Sequence, residues 1–140
     1  MSHINTIVKV KAKNPKEAVE IVTSLVNCNG DYNAYNTPHS GFDWCDEEAI
    51  QVLPKFTEKD FKELRKQELA EYHDYKQRAE DLEVEEDNHM QGYYLEQAGR
   101  VLQEEDFWSY DRLAYDLTKY SYDGEGTKGK TFYVETDRHY

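Results

Sequence analysis

The sequence predicts an α+β fold in a single domain over residues 1–140. Three observations lead to this prediction. β-Branched residues alternate near both ends of the chain, at residues 4–12 and 130–138, as they do in strands. A helix-start signal, Asn-Pro-Lys-Glu, follows the first of these segments at residues 14–17. Between them, residues 57–121 space their apolar side chains three to five positions apart, which is typical of helices.

The first strand is expected at residues 4–12, where one face carries Ile4, Thr6, Val8, Val10 and Ala12. A helix should then begin near Pro15, because asparagine is a good N-cap and proline suits the first helical position. Its apolar stripe consists of Ala18, Val19, Val22, Leu25 and Val26. Gly30, within Asn-Cys-Asn-Gly, predicts that this helix ends at residues 27–30.

Residues 31–46 mix turn residues with aromatic ones, so we expect a loop that contains a second strand. The next segment, residues 46–53, can form a short helix ended by Pro54.

Three helices are predicted in the middle of the chain. The first begins at Thr57 and runs into the acidic residues that precede Asn88. The second covers residues 89–106 and the third residues 107–121, where Phe107, Tyr110, Leu113, Ala114 and Leu117 share a side. The closing strand at 130–138 should pair with the first strand. The expected layout is therefore an α/β core from residues 1–56 and 124–140, in which the first helix covers a small sheet, and a helical arm from 57–123.

Negative charge is concentrated in one part of this arm. The chain has 29 acidic and 17 basic residues, a net charge of −12. Residues 80–106 hold ten acids against Arg100 alone, and residues 80–87 hold six carboxylates. Such a charge balance, with no basic stripe, argues against direct binding of nucleic acid.

Residues 124–131, GEGTKGKT, match the phosphate-loop pattern G-x-x-x-x-G-K-[ST]. That loop works at a turn from a strand into a helix, whose N-terminus faces the phosphates. Here the residues after Gly129 alternate as a strand does. We therefore expect a connecting loop and no stabilisation by ATP or GTP.

No cofactor or metal site is predicted, because none of the five histidines stands in a metal-binding spacing. One alternative function is a ligand-binding or enzymatic site on the loop 31–46, where Cys45 could be a thiol nucleophile beside His39. The residues of this alternative are Tyr32, Tyr35, His39, Asp43, Trp44 and Cys45.

The chain lacks an apolar signal region and any apolar stretch of about 18–20 residues, so we expect a cytoplasmic protein that does not enter membranes. A third hypothesis is an oligomerisation module whose helical arm forms a homodimer.

Rows of carboxylates spaced along a helix roughly imitate the phosphates of a nucleic acid, so the leading hypothesis is a non-enzymatic module that binds a basic protein surface. Solubility alone is the plainer explanation of the same charge. The candidate contact residues are Glu80, Asp81, Glu83, Glu85, Glu86, Asp87, Tyr93, Tyr94, Glu104, Glu105, Asp106 and Trp108.

The opening segment, INTIVKVKAKNPKEAVEIV at residues 4–22, resembles the strand-then-helix start of small α+β phage proteins. The acidity, small size and many tyrosines are similar to inhibitors of host defence, the anti-restriction and anti-CRISPR proteins that present DNA-like surfaces. This resemblance implies a protein that occupies the basic nucleic-acid site of a host protein in the host cytoplasm.

Overall fold

The computed structural model describes residues 3–36, 44–45, 49–84, 88–105, 107, 112–121 and 123–139. They form an α+β fold around an open mixed sheet. Its strands are β1 (His3–Ala12), β2 (Trp44–Cys45), β3 (Gln51–Val52), β4 (Ala114–Asp116) and β5 (Lys130–His139). The helices are α1 (Pro15–Asn36), α2 (Glu58–Val84), α3 (Asn88–Leu102) and α4 (Leu117–Tyr120).

The predicted pairing of the two terminal strands is confirmed. β1 and β5 are antiparallel over ten residue pairs, from His3 opposite His139 to Ala12 opposite Lys130. β4 adds a parallel strand on the other side of β1, and both β2 and β3 pair antiparallel with β5. The strand order is therefore β2-β5-β1-β4, with β3 also on β5.

Helix α1 covers one face of the sheet, as predicted. It begins where Asn14 Oδ1 accepts a hydrogen bond from the Glu17 backbone amide at 2.8 Å. Its stripe packs on the even-numbered side chains of β1 and on Val134. The fully buried members of this core are Val8, Val10, Ala12, Ala18, Val22 and Val134.

The first half of α2 covers part of the opposite face, where Ile7, Ala114 and Tyr133 are buried. Phe61 of α2 lies 5.7 Å from the ring of Tyr133, and both pack with Ile7. At the start of the helix, Glu58 accepts a hydrogen bond from the Tyr133 hydroxyl at 2.5 Å and pairs with Lys9 at 3.0 Å.

Helices α2 and α3 form an antiparallel hairpin that extends away from the sheet. Arg65, near the start of α2, contacts the carbonyl of Val101, near the end of α3. Ten residues further along α2, Tyr75 stacks on Tyr94 at 6.3 Å. The end of α2 at Val84 and the start of α3 at Asn88 therefore lie at the far end of the hairpin.

Two predictions about helices are wrong, the end of the first helix and the short helix at 46–53. Helix α1 passes through Gly30 and ends at Asn36, because a glycine costs only about 1 kcal/mol inside a helix and does not by itself stop one. In the segment 46–53, Gln51 and Val52 form a strand rather than a helix, since they find hydrogen-bond partners on β5.

The predicted third helix at 107–121 is also wrong. Ala114–Asp116 is strand β4, and only Leu117–Tyr120 is helical. The apolar spacing suited a helix, but pairing with β1 and two hydrogen bonds to Glu68 hold this backbone extended. The predicted helical arm, residues 57–123, thus contains one strand of the sheet, β4.

Candidate functional site

A buried carboxylate anchors the base of the hairpin to the sheet. Glu68 of α2 is 2% exposed, and its Oε1 accepts hydrogen bonds from the backbone amides of Leu113 and Ala114 at 2.5 and 2.8 Å. Its Oε2 pairs with Arg65 at 2.5 Å and with Arg112 at 3.5 Å. These contacts position the hairpin, and they bind the backbone where the edge strand β4 begins.

The network continues to one of the predicted contact residues. Arg65 pairs with Glu104 at 2.7 Å, and the Tyr120 hydroxyl donates to the same carboxylate at 2.9 Å. The hydrogen bonds from Arg65 and Tyr120 lower the pKa of Glu104, and the same carboxylate raises the pKa of Tyr120. Glu104 is thus neutralised within the protein and contributes little to an open acidic surface.

The acids toward the end of α2 are arranged differently. Glu80, Asp81 and Glu83, called the distal acids below, are all exposed. Within the described residues, no lysine or arginine forms an ion pair with any of them. Asp81 accepts a hydrogen bond from Gln77 at 3.0 Å, which leaves its charge in place. Each residue of a helix is rotated by about 100° around the axis from the one before it. These three carboxylates therefore point to more than one face of α2.

An aromatic cluster lies next to the distal acids. The ring of Tyr94 packs edge-on against Tyr93 at 5.3 Å, stacks on Tyr75, and lies beneath the guanidinium of Arg78 at 5.6 Å. Tyr93 is 49% exposed, whereas Tyr94 is half-buried between the helices. The predicted pair of tyrosine anchors is therefore one exposed ring supported by a second one.

Of the remaining predicted contact residues, the structure describes only Glu105. Glu105 is exposed, and its backbone carbonyl accepts a hydrogen bond from the Tyr115 hydroxyl at 3.3 Å. Glu85, Glu86, Asp87, Asp106 and Trp108 lie outside the described residues.

The alternative site on residues 31–46 is not a single loop. Tyr32 and Tyr35 belong to the last turns of α1, and Trp44 and Cys45 form strand β2, so the expected second strand is present. His39 and Asp43 lie outside the described residues.

The phosphate-loop match is a loop before β5, as predicted, and its glycines have structural roles. A side chain at Gly126 would meet Val10 Cγ2 at 2.8 Å, and one at Gly129 would overlap the carbonyl of Ala12. Both residues have positive φ, of 80° and 113°. An open cleft of about 550 Å³ lies between this loop and α1, lined by Glu17, Glu20, Asp123, Glu125, Lys11 and Lys128. Four carboxylates against two lysines are unfavourable for a phosphate.

Comparisons with protein-family models, with curated proteins and with solved structures found no match to this chain. Among the described residues, no cluster of three histidine, cysteine or acidic side chains is placed to hold a metal ion. In the same part of the chain, no helix combines the length and apolar character that crossing a bilayer requires.

Proposed function

We propose that this protein is an interaction module that binds the basic nucleic-acid site of another protein through the end of its helical hairpin. The supporting observation is the contrast between acids of one hairpin. Glu68 and Glu104 are neutralised by arginines of the chain itself, whereas the exposed distal acids pair with no described arginine or lysine. Carboxylates held close together without internal cations repel one another, and a cationic partner relieves that repulsion.

The spacing of these acids suits a phosphate-binding cleft. Residues three or four positions apart on a helix project from neighbouring turns, about 4.5–6 Å apart along the axis. Glu80 and Glu83 stand in this relation on the last turns of α2. Lysines and arginines arranged for a nucleic-acid backbone can pair with such a row, and long-range attraction makes the encounter fast and sensitive to salt.

The aromatic cluster adds uncharged contacts to the attraction between opposite charges. Tyrosine and arginine are the residues that most often dominate binding energy at protein interfaces. Tyr93 is exposed and packs against Tyr94, and a tyrosine, with only two side-chain torsions, loses little conformational freedom on binding. We therefore assign Tyr93 as the principal uncharged contact.

The proposal is non-enzymatic and concerns a partner in the cytoplasm, a host protein if the chain is encoded by a phage. Two enclosed polar groups, Glu68 and Tyr133, are committed to structure. Glu68 is occupied by two amides and two arginines, and burial and the bond to Glu58 raise the pKa of Tyr133, which disfavours its ionised form.

Charge reversal of the distal acids tests the proposal. The set is Glu80→Lys, Asp81→Lys and Glu83→Lys. The matched control reverses three other exposed acids, Glu20→Lys, Glu63→Lys and Glu125→Lys. Each reversal adds two charges, so both sets change the net charge from −12 to −6. The tagged proteins are used to capture partners from cell lysate at low and high salt.

We expect the wild type and the control set to capture the same basic protein at low salt, and the distal set to lose it. Capture should fall as salt rises, because screening weakens exposed charge pairs. Equal capture by the distal and control sets would show that the location of the charge does not matter, and would refute the proposal.

A further inference from the structure

The far half of α3 is packed less deeply against α2 than the half near the sheet. Ala98 and Val101, in the half near the sheet, are 4% and 6% exposed. In the far half, residues 89–95, the structure describes no buried side chain. Gly92 weakens this half as a helix, because glycine costs about 1 kcal/mol relative to alanine in a helix interior. The rotation of the far half about its axis therefore depends on partly exposed contacts with α2.

Tyr94 joins this half of α3 to α2. Its ring stacks on Tyr75 at 6.3 Å, and the guanidinium of Arg78 lies over it, 5.6 Å from the ring centre. A side-chain hydrogen bond with Tyr94, together with the charge of Asp74, raises the pKa of Arg78. Asp74 lies one turn earlier on α2 and pairs with Arg78 at 3.1 Å. Two residues from neighbouring turns of α2 thus hold the Tyr94 ring.

We propose that Arg78 is a positioning residue of the partner-binding surface, which fixes the rotation of α3 so that Tyr93 faces outward and Tyr94 faces α2. The two tyrosines are neighbours on a helix, so they are about 100° apart around its axis. A rotation that carried Tyr94 out from between the helices would also move Tyr93 from its present position. This inference rests on the proposed function, in which Tyr93 is the principal uncharged contact.

The charge of Arg78 separates this role from simple electrostatic attraction. Arg78 stands two residues before Glu80, the first of the distal acids. If charge alone governed binding, removal of this cation would strengthen the attraction to a basic partner. A positioning role predicts a weaker complex in spite of the added negative charge, because Tyr93 no longer meets the partner in the same orientation.

The first test needs no partner. Photo-CIDNP, the light-induced NMR polarisation of tyrosine rings by a flavin dye, reports which rings are accessible to solvent. The wild type should give a strong signal from Tyr93 and a weaker one from Tyr94, since the first ring is exposed and the second half-buried. Arg78→Leu should give strong signals from both rings. The side chain of Arg78 is 54% exposed, so this replacement removes no buried packing.

Lys76→Leu is the matched control. Lys76 is also an exposed cation of α2, two residues from Arg78, but it lies over the ring of Tyr72 at 5.9 Å rather than over Tyr94. The control should therefore keep the wild-type pattern of ring signals.

The second test measures binding rates with the basic protein that the wild type captures. Each leucine variant loses one positive charge, which changes the net charge from −12 to −13, so both should associate at least as fast as the wild type. Arg78→Leu should dissociate about fivefold faster, the size expected when one interface tyrosine loses its contact, whereas Lys76→Leu should not. Arg78→Lys keeps a cation near the ring and should restore most of the wild-type rate.

An unchanged ring pattern in Arg78→Leu would overturn the inference, and so would equal dissociation rates of Arg78→Leu and Lys76→Leu. Failure of the wild type to capture any basic protein would instead refute the proposed function. In that case the ring signals alone decide whether Arg78 fixes the rotation of α3.

Discussion

Glu68 shows how much a single residue can decide in this fold. It is one of 29 acidic residues, yet it is buried and holds two arginines and two backbone amides. Apart from Arg65, three residues earlier, its partners are 44 to 46 positions away, so the sequence around Glu68 does not reveal them. Its role follows only from the packing of α2 against β4.

Replacement of Glu68 should therefore be costly. Glu68→Ala leaves Arg112, which is 3% exposed, without the carboxylate it faces. Removal of one partner from a buried ion pair typically costs about 3–5 kcal/mol. Urea denaturation should show a loss of that size, a smaller loss for Glu68→Gln, and a change within about 0.5 kcal/mol for the exposed Glu63→Ala. Equal stability of Glu68→Ala and Glu63→Ala would contradict the role given to this network.

Glu104 should make stability depend on pH. Its hydrogen bonds with Arg65 and Tyr120 lower its pKa below the ordinary value of 4.5, so the folded state favours the charged form. The stability it contributes is present above pH 4.5 and is lost as pH falls through the folded value. Wild type should therefore melt higher than Glu104→Gln near neutral pH, and the difference should narrow in acid. A difference that does not change with pH would count against these two hydrogen bonds.

At the scale of secondary-structure elements, the sequence was sufficient where local pattern and tertiary context agree. β1, β5 and the start of α1 follow from alternation and a capping asparagine. Strands β3 and β4 could not be found this way, because they are two and three residues long and owe their extended shape to the neighbours they pair with. The spacing of Phe107, Leu113 and Leu117 resembles that of a helix, but the pairing of β4 with β1 keeps Ala114–Asp116 extended.

The loop before β5 matches the phosphate-loop pattern, but its glycines serve the packing of the loop against β1. Gly129 combines a φ of 113° with a position directly against the backbone of Ala12. Gly129→Ala should lower the free energy of unfolding by more than about 1 kcal/mol, since both the backbone and the space oppose a side chain.

Gly124→Ala is the control for this loop. It has a similar positive φ of 81° but open space around it, so it should be less destabilising than Gly129→Ala in the same urea experiment. A reversed order would indicate that the contact with β1 is unimportant.

At the scale of the whole molecule, the distal acids and the cleft beside Lys11 lie at different ends. Helix α2 runs antiparallel to β1, since Glu58 and Phe61 contact Lys9 while Glu68 lies beside Ala114, the neighbour of Ile7. The distal acids are therefore at the opposite end from Lys11, which follows Lys9 on β1. Exposed carboxylates without internal cations attract a cationic partner before contact.

The candidate site was only partly predictable on this scale. Composition located the acidic stretch, and the distal acids are exposed as expected. It could not show that Arg65, 39 positions earlier in the chain, neutralises Glu104. Nor could it show that Tyr93 stays exposed while Tyr94 packs between the helices, since this depends on how α3 is rotated against α2.

The most direct test of the central claim is competition between this protein and nucleic acid for the captured partner. Fluorescently labelled DNA or RNA bound to that partner should be displaced by the wild type and by the control set of reversals, but not by the distal set. A ternary complex, in which labelled nucleic acid stays bound at saturating wild-type protein, would show that the acidic end of the hairpin does not occupy the nucleic-acid site.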